Sequence, residues 1–287
     1  MGRSSYSGAL PRLFFGASTG RTATMAFANA LNSETDTTCL HEGKFRQEET
    51  PGEQVLSFLT LENRLAYEKP NAAHEIVAAK RGNTLQIAGE RGDRFFGDVA
   101  YNNVPFVAAL AKAFPDARFV FFFRQCLDFV RSAASEEGTD ETPVGWPPKD
   151  KPLTNVERYI ALGRLQPREG SDSARLWDSW SHRAQNIWLW SETNRLLLDQ
   201  TAELPKNRFK TIYFEEFKSA PVATYETLRA FLDLPGDMQQ ASKEILLARP
   251  INMRREKPAA ITVAELDSVE RAVFEEYAQP INRRLYS

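Results

Sequence analysis

GASTGRTATMAFANAL, residues 16–31, follows directly on the apolar run Leu13-Phe14-Phe15. A strand that empties into Gly, Ser, Thr and Arg, and then into an Ala-rich helix, reads as a βα unit suited to phosphate. The N–H groups of a helix's first turn have no intrahelical partner and carry partial positive charge, so anions settle there. Thr19, Gly20, Arg21, Thr22, Ala23 and Thr24 supply those N–H groups together with hydroxyls and a cation, and Gly20 permits a tight turn. The nucleoside-triphosphate loop has the form G-x-x-x-x-G-K-[ST]. Here Gly16 and Gly20 are separated by three residues, and Arg21 stands in place of the Lys. On this segment alone, an ordinary βα turn with a Thr cap is the competing reading.

The rest of the chain alternates strands with helices. Strands are predicted at Arg12–Ala17, Thr37–His41, Ala117–Phe123 and Phe209–Phe214, with weaker ones at Thr84–Ala88 and Arg94–Val99. The segment ARFVFFF, 117–123, is apolar without alternation, as in a parallel strand covered on both faces. Helices are predicted at Thr22–Asn32, Pro51–Glu68, Pro70–Lys80, Val104–Phe114, Leu176–Gln200 and Pro221–Leu232. This order implies one α/β domain: a three-layer sandwich, P-loop NTPase-like, around about five parallel strands. On the 176–200 helix, Trp177, Trp180, Ile187 and Trp188 form a stripe expected to be core, and Trp190 lies off it, facing a pocket or a partner. The acidic, Pro-punctuated stretch 136–174 reads as an insertion, either a lid or a loose loop.

Composition narrows the function. Lys and Arg number 36 against 38 acidic residues, a net charge of -2 that offers no general attraction to nucleic acid or an anionic membrane. Two cysteines, Cys39 and Cys126, exclude a disulfide framework and are expected to be buried thiols. Metal motifs such as H-E-x-x-H and C-x-x-C do not occur, so no metal is expected, and His74 and His182 read as incidental. The opening MGRSSYSGALPR has no leader-like apolar stretch, Tyr6 breaks the myristoylation pattern, and no run approaches the roughly 20 apolar residues of a membrane span. A cytoplasmic protein is expected.

A second phosphate site is carried by ARFVFFFRQCLDFVRS, 117–132. Arg124 stands at the carboxyl end of the strongest strand, where open α/β sheets collect ligands, and Ser132 follows eight residues later on a helix. Asp128 lies between them. This pattern resembles the 3′-phosphate-binding segment of sulfotransferases that use 3′-phosphoadenosine 5′-phosphosulfate (PAPS). STGRTATM, 18–25, is similar to that family's 5′-phosphosulfate loop, with Arg21 as in its carbohydrate-type and bacterial branches. TIYFEEFKSAPVATYETLRAFLDLP, 211–235, resembles a later strand and helix of the family, and NMRRE, 252–256, its segment that closes over the 3′-phosphate. Three departures stand out. Ala23 replaces a Gly, which fits if its φ is negative; Phe214 replaces a Tyr that contacts adenine; Glu256 replaces the closing Gly.

What the resemblance implies is sulfuryl transfer from PAPS to a hydroxyl or amine of a small acceptor, leaving 3′-phosphoadenosine 5′-phosphate (PAP). Thr19–Thr24 would cradle the 5′-phosphosulfate, and Arg21 would neutralise the leaving oxygen. Arg124, Ser132, Arg254 and Arg255 would hold the 3′-phosphate. A general base is expected after the second strand, where TTCLHEGKF, 37–45, offers His41 and Glu42. The family's Glu with a Phe three residues on matches Glu42 and Phe45, while other branches use His. Asp98, in FFGDVAYNN, 95–103, either orients the acceptor or caps its turn. Trp146, on the Pro-stiffened insertion, either walls the acceptor pocket or anchors its loop. Two alternatives are a P-loop kinase of a small metabolite, which needs a loop Lys and a carboxylate for Mg²⁺, and a catalytically silent nucleotide-binding module.

Overall fold

The computed structural model describes residues 11–43, 60–134, 145–146, 164–248 and 260–286. The order begins β1 (Arg12–Ser18), α1 (Thr24–Asn32), β2 (Thr37–His41), α2 (Thr60–Glu68), α3 (Pro70–Arg91) and β3 (Phe95–Val99). A 3₁₀ turn at Tyr101–Phe106 leads into α4 (Val107–Ala113), β4 (Arg118–Phe123) and α5 (Cys126–Ala134). Then come α6 (Asp172–Leu176), α7 (His182–Glu203), β5 (Phe209–Tyr213), α8 (Phe214–Ser219), α9 (Pro221–Leu232) and α10 (Gln240–Leu247). The chain ends with α11 (Ser268–Val273), a π-helical turn at Phe274–Ala278 and α12 (Gln279–Tyr286).

Among the described residues five strands form one sheet in the order β2-β3-β1-β4-β5, parallel throughout. β1 lies at its centre, so the loop leaving β1 opens between the ends of β3 and β4. Side chains of each strand alternate between two packed layers. Leu13, Phe15, Phe96, Phe119, Phe121 and Phe123 face the layer that holds α7 and α12. Phe14, Phe95, Val120 and Phe122 face Phe27 of α1, Phe217 of α8 and Tyr225 of α9. Continuous Phe-rich strands are thus explained by burial on both faces. The sheet is a three-layer α/β sandwich, as expected.

Several predicted bounds shift. Thr84–Ala88 is not a strand but the last third of α3, which starts with Pro70 at its first turn and runs on to an αL cap at Gly92. Thr84 donates its hydroxyl to the carbonyl of Lys80 one turn back. That bond and the fit of Val77 and Ala88 in the core override the local β preference of Thr-Leu-Gln-Ile. The predicted 176–200 helix is broken: Trp177–Ser179 forms a 3₁₀ turn, and α7 starts at His182 with Ser181 as its cap. Trp177, Trp180 and Trp188 are buried as expected, with Trp177 edge-on to both Trp180 and Trp188. Trp190 faces neither a pocket nor a partner; it is wholly buried. Pro105 turns the start of the predicted 104–114 helix into the 3₁₀ segment.

Gly97 of β3 is the tightest point of the sheet. A Cβ there would lie 2.3 Å from the Phe14 ring and 2.5 Å from the Phe14 carbonyl oxygen. Backbone cannot yield as a flexible side chain does, so Gly97→Ala should destabilise the chain by about 3 kcal/mol through overpacking. Urea unfolding monitored by circular dichroism reads this directly; an unchanged midpoint would contradict the packing at β1–β3.

Candidate functional site

The loop between β1 and α1 has an unusual backbone. Gly20, Arg21 and Ala23 all have positive φ, at 81°, 57° and 64°. Successive residues near the left-handed region turn their N–H groups toward a common concavity, a form that binds anions. Ala23 corrects the expectation of a negative φ: it sits in αL as the N-cap of α1, which begins at Thr24 rather than Thr22. For an L-residue this costs about 1–2 kcal/mol. The Ser18 hydroxyl accepts the Gly20 N–H at 2.9 Å and fixes the first bend. Thr22 is buried, and its Oγ1 has no hydrogen-bond partner among the described residues.

At the end of β4, Arg124 is buried against this loop and donates from Nη1 to the Arg21 carbonyl at 2.7 Å. Its guanidinium lies 4.3 Å from the centroid of the Phe214 ring, a cation–π contact. The Trp190 indole N–H donates to the Arg124 carbonyl at 2.8 Å, an anchor that the sequence reading missed. Arg124 Nε is buried with no partner among the described residues. Burial lowers the Arg124 pKa to about 10, countered by Asp128 and aided by Arg21. Arg21 donates from Nε to Ser132 Oγ at 2.9 Å, across from β1 to α5. The predicted 5′ and 3′ phosphate groups therefore meet: Arg21, Thr22, Arg124 and Ser132 form one cluster.

β2 delivers the other group. His41 ends the strand beside Val99, and its Nε2 is 3.2 Å from Thr24 Oγ1 in the first turn of α1. Glu42 and Gly43 follow with φ of 55° and 75°, and Glu42 N–H donates to the Val99 carbonyl at 3.2 Å. Asp98 on β3 is buried, with its oxygens taken by Gly43 N–H at 2.9 Å and by the Asn103 amide at 3.1 Å. Burial raises its pKa from 3.8 to about 7, against the two hydrogen bonds and with help from Glu42. Burial likewise pushes the Cys39 and Cys126 thiols well up, as fits inert core cysteines.

Beside Ser18 and Thr19 lies a cavity of about 30 Å³, walled also by Asn63, Arg164, Leu189 and Thr193. Trp146 sits outside it: its backbone N–H and carbonyl are paired with the Asn186 side chain, and its ring meets Trp177 edge-on. Arg254 and Arg255 lie outside the described residues, as do Phe45, Glu256 and most of the 136–174 insertion. Among the described residues no group of His, Cys, Asp and Glu is placed to hold a metal, and no helix is long and apolar enough to cross a membrane.

No protein-family model matches this chain, and no curated protein does. Among solved structures it is similar to the sulfotransferase STF1 from Mycobacterium tuberculosis H37Rv, with 15% identity and a TM-score of 0.51 over 94% of this chain and 77% of that one. The sulfotransferase domain from the curacin biosynthetic pathway has 13% identity and a TM-score of 0.49, over 97% of this chain and 98% of that one. The mouse sulfotransferase SULT7A1 complexed with PAP has 11% identity and a TM-score of 0.46, over 97% and 90%. At these identities the likeness is one of fold, and it rests on the first: a P-loop NTPase-like α/β sandwich.

Two outcomes follow from the geometry. Ala23→Gly should stabilise the chain by about 1 kcal/mol by removing αL strain; a loss of stability in urea would contradict the loop's backbone. Asp98, with its pKa raised on folding, favours the fold most below pH 4, and that contribution is lost as pH rises through about 7. The Asp98→Asn variant should therefore gain on the parent between pH 4 and 7, by up to about 4 kcal/mol. A pH-independent difference in melting temperature would contradict it.

Proposed function

We propose that this chain is a PAPS-dependent sulfotransferase, transferring a sulfuryl group to a hydroxyl or amine of a small acceptor. The observation that carries the reading is that Arg21, Arg124 and Ser132, on the two segments that resemble the family's phosphate-binding motifs, meet at the carboxyl ends of β1 and β4. Two guanidiniums beside the N-terminus of α1 fit an anionic ligand.

PAPS supplies the activated sulfuryl group. Backbone N–H groups from Gly20 to Thr24 and the Thr19, Thr22 and Thr24 hydroxyls would hold its 5′ side. Arg124 and Ser132, with Arg254 and Arg255, would hold its 3′-phosphate, and the face of Phe214 lies beside Arg124 for the base. Arg21 would offset charge on the bridging oxygen as the S–O bond breaks. Either Glu42 or His41 would take the acceptor proton for in-line attack; Glu42 is favoured because a positioned carboxylate is a ready general base. The acceptor would sit at the exits of β1 and β2 beside Glu42 and His41, since the cavity beside Ser18 and Thr19, at about 30 Å³, has room for little more than water. A kinase of the same fold needs a Lys in the loop, where Arg21 stands.

PAP should raise the melting temperature of the chain, whereas ATP with Mg²⁺ should not. Stabilisation by ATP-Mg²⁺ alone would overturn the reading. Arg124→Ala should weaken PAP far more than adenosine 5′-phosphate, by ~1.5–3 kcal/mol for the lost charged bond. Equal losses for both ligands, measured by calorimetry, would move the 3′-phosphate elsewhere. Arg21→Ala should lower turnover on the order of 100-fold, with a smaller change in PAP affinity; an unchanged rate would remove its role.

A further inference from the structure

Glu42 stands in a backbone conformation that an L-residue rarely adopts, and something must hold it there. The next residue, Gly43, is also at positive φ, and its N–H points into Asp98 Oδ1 at 2.9 Å. Asp98 Oδ2 accepts from Asn103 Nδ2 at 3.1 Å, and the same nitrogen donates to the Gly16 carbonyl at 3.0 Å. Ala100 N–H reaches that carbonyl too, at 3.1 Å. So one buried carboxylate and one buried amide tie together the carboxyl ends of β2, β3 and β1, just before the phosphate loop begins. Gly97, one residue before Asp98, packs against Phe14 with no room for a Cβ, which fixes the height of β3 in this clasp.

We infer that Asp98 is a positioning residue: through Gly43 it sets the turn that aims Glu42 at the acceptor, and through Asn103 it registers that turn against β1. The inference rests on the sulfotransferase reading and on Glu42 as its base. It departs from Asp98 as an acceptor contact, because both carboxylate oxygens are already engaged and the side chain is buried. Among the described residues the charges that meet Asp98 are few. Glu42 on the turn and the Cys39 thiol on β2 both couple to it electrostatically; β1 offers only the Gly16 carbonyl through Asn103, and the 3₁₀ segment the neutral Asn103. Ionisation of Asp98 strengthens its hold on the Gly43 N–H, since bonds to charged acceptors are the stronger kind. Its raised pKa places that change near neutrality.

Two readouts on the full chain test this. The first is the amide resonance of Gly43 in ¹⁵N spectra across a pH titration. It should move with an inflection near pH 7 in the parent and in Glu42→Gln, and that inflection should vanish in Asp98→Asn. The second uses PAPS with water as acceptor, followed as PAP released. Asp98→Ala should cut kcat by ten- to a hundredfold, the scale of a small misplacement of a reacting group, while PAP affinity stays within twofold. Asp98→Asn, which keeps an acceptor for Gly43, should recover part of that rate and lose its pH dependence near 7. A Gly43 resonance indifferent to residue 98, or a rate loss matched by an equal loss of PAP affinity, would overturn the positioning role. A parent chain whose melting temperature does not respond to PAP would overturn the sulfotransferase reading instead, and the Gly43 resonance would still report on the clasp.

Discussion

The bond from Arg124 Nη1 to the carbonyl oxygen of Arg21 joins the end of β4 to the loop leaving β1. Strands β1 and β4 are neighbours in the sheet, so their carboxyl ends lie side by side, but adjacency alone does not orient a guanidinium. Three contacts do so: the Arg21 carbonyl at its tip, the Phe214 ring beneath its plane, and the Trp190 indole on its own carbonyl. Each comes from a different element. The site therefore depends on the whole right half of the sandwich, from β4 through α7 to β5.

Charge makes this arrangement costly on its own. Arg124 is buried beside both cations, Arg21 and Arg131, and carboxylates, Asp128 and Glu215, and burial depresses its pKa. Desolvating a guanidinium without full pairing is unfavourable, and an anion bound there offsets the cost. The left half of the sheet is built in the opposite sense. There Asp98, raised to about 7, and Glu42 gather negative charge about the exit of β2. Cations at the exits of β1 and β4 beside carboxylates at the exit of β2 match the division of labour that the proposed transfer from a phosphosulfate requires.

Much of this was legible from residue order. The βα loop at 16–31, the buried strand before Arg124 and the Ser132 spacing depend on local pattern, and they lie where pattern puts them. Other features are set by neighbours distant in sequence. Thr84–Ala88 has the composition of a strand but completes α3, since its helix is continuous with 70–80 and buries Ala88. The αL conformation of Ala23 runs against its residue type, so composition argued the other way. Trp190 lay off the helical stripe and suggested a pocket or a partner, yet its N–H is paired with a backbone carbonyl 66 residues away. Asn103 carried no motif at all; only the parallel register of β1 and β3 reveals that its amide bridges Gly16 and Asp98.

A crystal structure of the chain with PAP tests the central claim most directly. The account predicts the 3′-phosphate within hydrogen-bond distance of Arg124 and Ser132, and the 5′-phosphate against the N–H groups of residues 20–24, with Thr22 Oγ1 paired. PAP bound away from the β1 and β4 carboxyl ends, with Thr22 Oγ1 and Arg124 Nε still unpaired, would contradict it.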